Sequence, residues 1–506
     1  MASFREISTP GKSGWDISKR LAHLSIGDRC NEWRIPVATW GIDEPRALMA
    51  NIDNLDIKRK DWDRATGAVD SVLDMFLEEL QTEATRFSGL HINKFIRQGS
   101  SREGLKVSKA DEFDALLLFD IKGMTFNVSH IKDKNDWILP EFGLLVPVGF
   151  SVGQIQSRYP ELDREGVFSF ESEKGTVYLN SRNLHEKVFK SIVMRAANSI
   201  EERVNTSNIK QEFSFAIQKF SINPPSINIQ IRLREKTGYF DYNNHFRSLM
   251  KNESRIESQS AGVDTLIDVD IVPGLELCRD VVPDPSDWQK TMECPRYAVF
   301  KWFTENQPSA HLYDCQPSFL WRMCSSGYEK HVLDASRGST EQSYIVTALR
   351  IMKNEFRQRK EYRRNNSPLQ VVTVLRSYHL KHIAFYCILY LTIMNKVKIS
   401  GVRESLVYFL EFLKVCLEEQ KLPHFFHANP YLMYMFPDCE MAEQSLRYDL
   451  LAGKSSDALL QAKLSFNELE DDIRRKYSLR SKEIGTYPEY ATTFGEFVKA
   501  GKYYLH

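Results

Sequence analysis

The chain has 506 residues, with 67 Lys plus Arg balanced by 67 Asp plus Glu, 42% hydrophobic residues and 26% charged. This is the composition of an ordinary globular protein long enough for two to four domain-sized units. It excludes a disordered chain, and a net charge of zero excludes a global basic field, so any polyanion site must be a local patch. The eight cysteines are scattered without CxxC spacing or a Cys/His cluster, which reads as reduced thiols in a cytoplasmic or nuclear protein, with no structural zinc.

Residues 1–59 read as an N-terminal extension whose Trp15, Trp33 and Trp40 imply that part of it packs on something. Its first residues are too polar for a secretory leader. From Trp62 to Phe87, Val69, Val72, Leu73, Phe76 and Leu80 recur at helical spacing and predict a long amphipathic helix. A polar turn, Gln98-Gly99-Ser100-Ser101-Arg102, precedes the strand-like run DEFDALLLFDI, which starts at Asp111. Further strands are expected at Phe142–Phe150, Phe213–Phe220, Ile227–Leu233 and Thr265–Val272, with Pro224-Pro225 marking a tight connection between two of them.

Beyond about residue 285 the texture becomes helical, with helices expected at Tyr344–Arg364, Leu380–Met394 and Glu404–Gln420 and a mobile loop at Arg337–Ser343. The apolar run Ile383–Met394 is shorter than the roughly 20 residues that span a bilayer, so it reads as a buried helix. The expected fold is α+β: a catalytic lobe over 60–285, then a helical lobe over 286–506.

Glu112 and Asp114 stand two apart on the strand, so both carboxylates project to one face while Phe113 points into the core. Asp268 and Asp270 share parity on a second strand. In the Gly99-Ser100 turn, glycine lets a phosphate approach the backbone and serine adds a donor. Carboxylates on two strands beside such a turn suit phosphoryl transfer with two Mg²⁺ or Mn²⁺ ions roughly 3.5–4 Å apart. An acidic pair on a strand is otherwise most often a solvated edge.

On these residues the chain resembles the cyclic GMP–AMP synthase (cGAS) family and the cGAS-like receptors. The segment GSSREGLKVSKADEFDALLLF matches the family's Gly-Ser, loop, Glu-Phe-Asp pattern, and DVDIVPGLEL resembles its third-acid strand, which selects Asp270 over Asp268. Further resemblances are FLWRMCSSGYEKHVL, with Arg322, Ser326, Glu329 and Lys330 in register, ALRIMKNEF with Lys353, SYHLK with Ser377, Tyr378 and Lys381, and KLPHFFHANPYLM. Together they cover roughly 60–440 in the right order.

The resemblance implies a bilobal nucleotidyltransferase fold with a long spine helix and a metal-binding catalytic triad of Glu112, Asp114 and Asp270. It implies a nucleotide site of Gly99, Ser100, Arg322, Ser326, Glu329, Lys353, Ser377, Tyr378 and Lys381. Ser100 and Lys353 would contact the donor triphosphate, Tyr378 would stack on its base, and Arg322 would hold the acceptor. The implied activity joins ATP and/or GTP into a cyclic dinucleotide messenger of innate antiviral defence. An RNA-end nucleotidyltransferase and a non-catalytic scaffold are the alternatives.

Two departures bear on this. Asp334–Thr340 replaces the zinc insertion with which the best-known member grips DNA, which favours double-stranded RNA over DNA as activator, and Cys324 stands where that member has serine. The spine is also acidic, carrying Asp61, Asp63, Asp70, Asp74, Glu78, Glu79 and Glu83 after a small Lys58-Arg59-Lys60 patch. On the helix at Ile345–Arg364 an apolar stripe (Ile345, Leu349, Met352, Phe356) opposes a basic one (Arg350, Lys353, Arg357, Lys360, Arg364). His379, His382, His424 and His427 read as core or capping residues, since no acid lies beside the first two on their helix.

Overall fold

The computed structural model describes residues 33–41, 55–133, 135–171, 175–206, 213–217, 226–233, 265–284, 287–301, 315–362, 369–436, 445–479 and 487–503. Trp15, Pro224-Pro225 and Arg364 lie outside them.

The described residues form a mixed α/β structure around one large mixed sheet, compatible with the expected α+β class. Helix α1 (Arg59–Ala84) leads into β1 (Leu90–Gln98), the short helix α2 (Gly99–Glu103) and β2 (Glu112–Ile121). Then come β3 (Phe126–Lys132), β4 (Ile138–Pro147), a separate hairpin of β5 (Phe168–Glu171) and β6 (Thr176–Leu179), and helix α3 (Lys190–Thr206). Strands β7 (Phe213–Ile217), β8 (Ile227–Leu233), β9 (Thr265–Asp284), β10 (Asp287–Phe300) and β11 (Leu320–Cys324) complete the sheet. Helices α4 (Ser326–Ser336), α5 (Thr340–Tyr362), α6 (Ser377–Cys387), α7 (Val402–Glu418), α8 (Ser456–Lys476) and α9 (Tyr487–Ala500) follow.

The sheet order is β1-β2-β9-β10-β11-β4-β3, with β7 and β8 continuing from β9. All its pairings are antiparallel except β2 with β9. The expected Thr265–Val272 strand runs on to Asp284 through Pro273. Pairing of β9 with β8 ends at Ile271 and pairing with β10 begins at Gly274, so the proline falls where neither antiparallel neighbour needs its N–H.

Strand parity divides the sheet's faces. Phe113, Ala115, Leu117 and Phe119 join α1 and α3 in one core, where Val69, Val72, Leu73, Phe76 and Leu80 are all buried. Leu116 and Leu118, on the face that carries Asp114, pack instead with Ile96, Tyr297 and Val299. A second large core lies among α5 to α9, and Leu105 and Val107 from the β2 approach insert into it. Residues 33–41 tie the two together. Trp33 donates to Asp70 (2.7 Å) and meets Phe113 edge-on, the Arg34 N–H donates to Ser101 O (3.0 Å), and the Thr39 N–H donates to Thr347 Oγ1 (2.9 Å). Trp40 packs against the helical core, so part of the extension packs on the protein, as expected.

Several local expectations are revised. The turn at Gln98–Arg102 is the helix α2, closed by Gly104 in the left-handed region (φ 70°). The loop expected at Arg337–Ser343 shrinks to 337–339, because α5 already begins at Thr340 and Arg337 is fastened to Asp334 (2.8 Å) and Glu103 O (2.6 Å). The sheet passes the expected boundary at 285, since β10 and β11 belong to it. The Phe142–Phe150 strand spans Ile138–Pro147 and stops before the positive-φ Gly149. Among the described residues no helix is long and apolar enough to cross a membrane, and the run at Ile383–Met394 is the end of α6 followed by a π-helical turn.

Candidate active site

The acids meet through register. In the parallel pairing of β2 with β9, Glu112 stands opposite Asp268 and Asp114 opposite Asp270, one strand spacing apart, about 4.8 Å. Gln98 of β1 faces Asp114 and Asn228 of β8 faces Asp270, so a polar row, Gln98-Asp114-Asp270-Asn228, crosses four strands. Asn228 Nδ2 donates to Asp270, and Gln230 Nε2 donates to Asp268 (3.1 Å). Lys106 bridges Asp111 (3.2 Å) and Glu112 (3.1 Å).

Burial, followed by the charges of Glu112 and Asp270, pushes the Asp114 carboxyl from 3.8 up to about 7. Asp270 is raised by burial and by Glu112 and Asp268, against its hydrogen bond from Asn228. Three carboxylates crowd one another here, with Lys106 the cation paired to Glu112, and their hard oxygen donors fit Mg²⁺ or Mn²⁺.

Gly99 is required by this geometry. Its φ is +64°, and a Cβ placed there would lie 1.8 Å from Asp114 Oδ2. Gly99→Ala is therefore expected to displace Asp114 and lower any metal-dependent activity at least about tenfold, with a smaller loss in melting temperature. Steady-state assays beside thermal melts would separate the two effects.

Above the acids lies a cavity of about 930 Å³. Glu112 and Asp114 line it together with Gly99, Ser100, Arg322, Ser326, Glu329, Lys353, Ser377, Tyr378 and Lys381, so eleven of the twelve expected site residues share one cavity. Asp270 joins them through its register with Asp114. Ser326 and Ser377 are the first residues of α4 and α6, where unpaired backbone N–H groups favour anions. Arg357, Lys360 and Arg376 add positive charge to the wall.

Lys353 donates to Leu105 O (3.0 Å), and burial and then Lys106 bring its amine from 10.5 down to about 7. A bound polyanion would restore its charge. Arg322 pairs with the buried Glu141 (2.8 Å). Lys381 Nζ reaches Glu103 Oε1 (3.0 Å), Glu103 Oε2 (3.1 Å) and Glu329 Oε2, so it joins α2 to α4 and α6. The basic stripe of α5 divides: Arg350 is fully buried and bonds Leu55 O (3.0 Å) and Asp56 (2.7 Å), leaving Lys353, Arg357 and Lys360 at the cavity.

The reading of the histidines without a nearby acid is corrected. Glu329 of α4, not a helix neighbour, comes to His382, and the buried ligand atoms of Glu329, His382 and His424 lie within 4.8 Å of one another, a group that could hold a metal ion. Sequence reasoning also passed over Glu103, Lys106, Glu141 and Asn228. Only Asn228 had a local signal, the alternation Ile-Asn-Ile-Gln-Ile that sets Asn228 and Gln230 on the polar face. Trp321, expected in the core, is fully buried and donates to Leu179 O (2.9 Å). No protein-family model and no curated protein matches this chain.

Proposed function

We propose that the chain is a metal-dependent nucleotidyltransferase similar to the cGAS-like receptors, joining two nucleoside triphosphates into a cyclic dinucleotide and releasing pyrophosphate. The observation that carries the reading is the Glu112/Asp114/Asp270 cluster on one sheet face beneath a cavity with lysine, arginine and helix N-termini in its wall. Sheet and helices on either side of that cavity are what a bilobal nucleotidyltransferase needs.

Glu112, Asp114 and Asp270 would hold the divalent ions, which when bound lower the pKa of the attacking hydroxyl and offset charge on the leaving group. In each transfer a ribose hydroxyl oxygen bonds to an α-phosphorus and the bond to the bridging α–β oxygen breaks. Pyrophosphate leaves, and the hydroxyl proton passes to a cluster carboxylate or to water. The second transfer closes the ring. Lys353, Ser100 and the N–H groups at Ser326 and Ser377 would orient the triphosphate, and Tyr378 presents a ring for a base. An RNA activator rests on the resemblance, and a cytoplasmic location on the scattered cysteines.

The test is incubation of the full chain with the four nucleoside triphosphates and Mg²⁺ or Mn²⁺, with and without double-stranded RNA or DNA. A small phosphatase-resistant product, absent with Asp114→Ala, is the expected result. A growing RNA ladder would favour the RNA-end transferase. Absence of metal-dependent nucleotide binding by calorimetry would favour the scaffold.

A further inference from the structure

Behind the ring of Tyr378 stand two histidines that the proposed reaction leaves unused. His382 and His424 are both fully buried. The backbone N–H of Phe425 donates to His382 Nδ1 (2.9 Å), and that of Phe426 donates to His424 Nδ1 (3.2 Å). A backbone N–H can only donate, so each Nδ1 presents its lone pair, and a neutral ring then carries its proton on Nε2. Burial keeps both rings neutral, well below the usual histidine range, with Glu329 opposing and Lys381 reinforcing this at His382. Arg322 and His427 face His424 and act in the same sense as burial.

The chain of donors follows from those tautomers. His424 Nε2–H donates to the Tyr378 hydroxyl (2.8 Å), which directs that hydroxyl's own proton toward Glu329 Oε1 (3.4 Å). Glu329 also accepts from Ser325 Oγ (2.7 Å) and Lys381 Nζ. With its oxygens met from inside the protein, and only 4% exposed, Glu329 has little capacity left for a ligand. His382 packs edge-on against the Tyr378 ring, centroids 4.5 Å apart, while its own Nε2 has no hydrogen-bond partner among the described residues. A metal ion at Glu329, His382 and His424 would have to displace the proton from each Nε2 and break the bond from His424 to Tyr378.

We infer that His424 is a positioning residue that sets nucleotide specificity. Its Nε2–H fixes the Tyr378 hydroxyl and thereby the angle at which the phenol ring stands on the cavity wall, where a nucleobase packs. This rests on the nucleotidyltransferase reading.

The experiment compares His424→Leu, His424→Gln and Tyr378→Phe with the wild-type full chain, measuring KM and kcat for ATP and for GTP with Mn²⁺. Losing the one hydrogen bond is expected to raise KM about tenfold while kcat changes by less than about threefold. The ATP-to-GTP preference should flatten. Gln, a neutral donor, should recover most of the KM, and Tyr378→Phe, which keeps the ring but not the hydroxyl, should reproduce the Leu variant. If His424→Leu fails to fold, Tyr378→Phe decides. Unchanged KM and base preference in a turning-over enzyme would overturn the inference, as would one transition-metal ion per chain that survives EDTA in the wild type and is lost in His424→Leu. A wild type that neither binds nor converts nucleotides would instead sink the nucleotidyltransferase reading itself.

Discussion

Asp114→Asn is expected to abolish nucleotidyl transfer and, above neutral pH, to make the ligand-free protein more stable. The first effect follows from losing the central acid of the cluster, on the order of 10³-fold in rate. The second follows from the raised carboxyl. Its folded-state pKa of about 7 lies above the ordinary 3.8, so folding favours the protonated form. The stability tied to that proton is complete below about pH 4 and is lost as pH rises through about 7. At pH 8 the charged side chain opposes folding beside Glu112 and Asp270, and Asn removes the opposition. Since Asp114 is only half-buried and opens onto the cavity, screening limits the gain to on the order of 1–2 kcal/mol, about 2–5 °C in melting temperature. Melts at pH 5 and pH 8 check this: the gap should open only at the higher pH, and Mg²⁺ should raise the wild-type midpoint but not that of the variant.

The largest loss of stability is expected from Lys381→Met. Lys381 holds two carboxylates that are almost completely buried, Glu103 at 3% and Glu329 at 4% exposure. A methionine fills the stem and removes the ammonium that both acids share. Breaking such a buried set by removing one partner costs about 3–5 kcal/mol. Burial alone would raise the Glu329 carboxyl, but the charge of Lys381 and the hydrogen bonds from Lys381 and Ser325 hold it down to about 2. Its contribution to stability is therefore present above about pH 4.5 and lost as pH falls through about 2. The variant should lose that acid limb. Adding Glu329→Gln to Lys381→Met should return part of the lost midpoint in denaturant titrations.

The acidic pairs were legible because strand periodicity is local: Glu112 and Asp114 need only parity to share a face, as do Asp268 and Asp270. The choice of Asp270 over Asp268 came from the family resemblance, and the parallel register places Asp270 opposite Asp114. The apolar stripe of α5 was legible in the same way, for Ile345, Leu349, Met352 and Phe356 are all buried. Its charged residues were not. Arg350 reads as one more member of a basic face, yet it turns inward because its partners, Leu55 and Asp56, come from about 295 residues away. His382 met Glu329 for the same reason: the acid arrives on another helix, and helical spacing around His382 carries no trace of it. The extension of the sheet through β10 was hidden by Glu293, Cys294 and Pro295, which interrupt a strand pattern that pairing with β9 nevertheless sustains.

In the proposed function, Glu112, Asp114 and Asp270 together bind a pair of divalent cations. Mn²⁺ binding followed by electron paramagnetic resonance, with a non-hydrolysable nucleoside triphosphate present, tests it most directly. Two ions per wild-type chain, falling to one or none in Asp270→Asn, is the expected result. Equal Mn²⁺ stoichiometry in the wild type and in Asp270→Asn, or none in either, would contradict it.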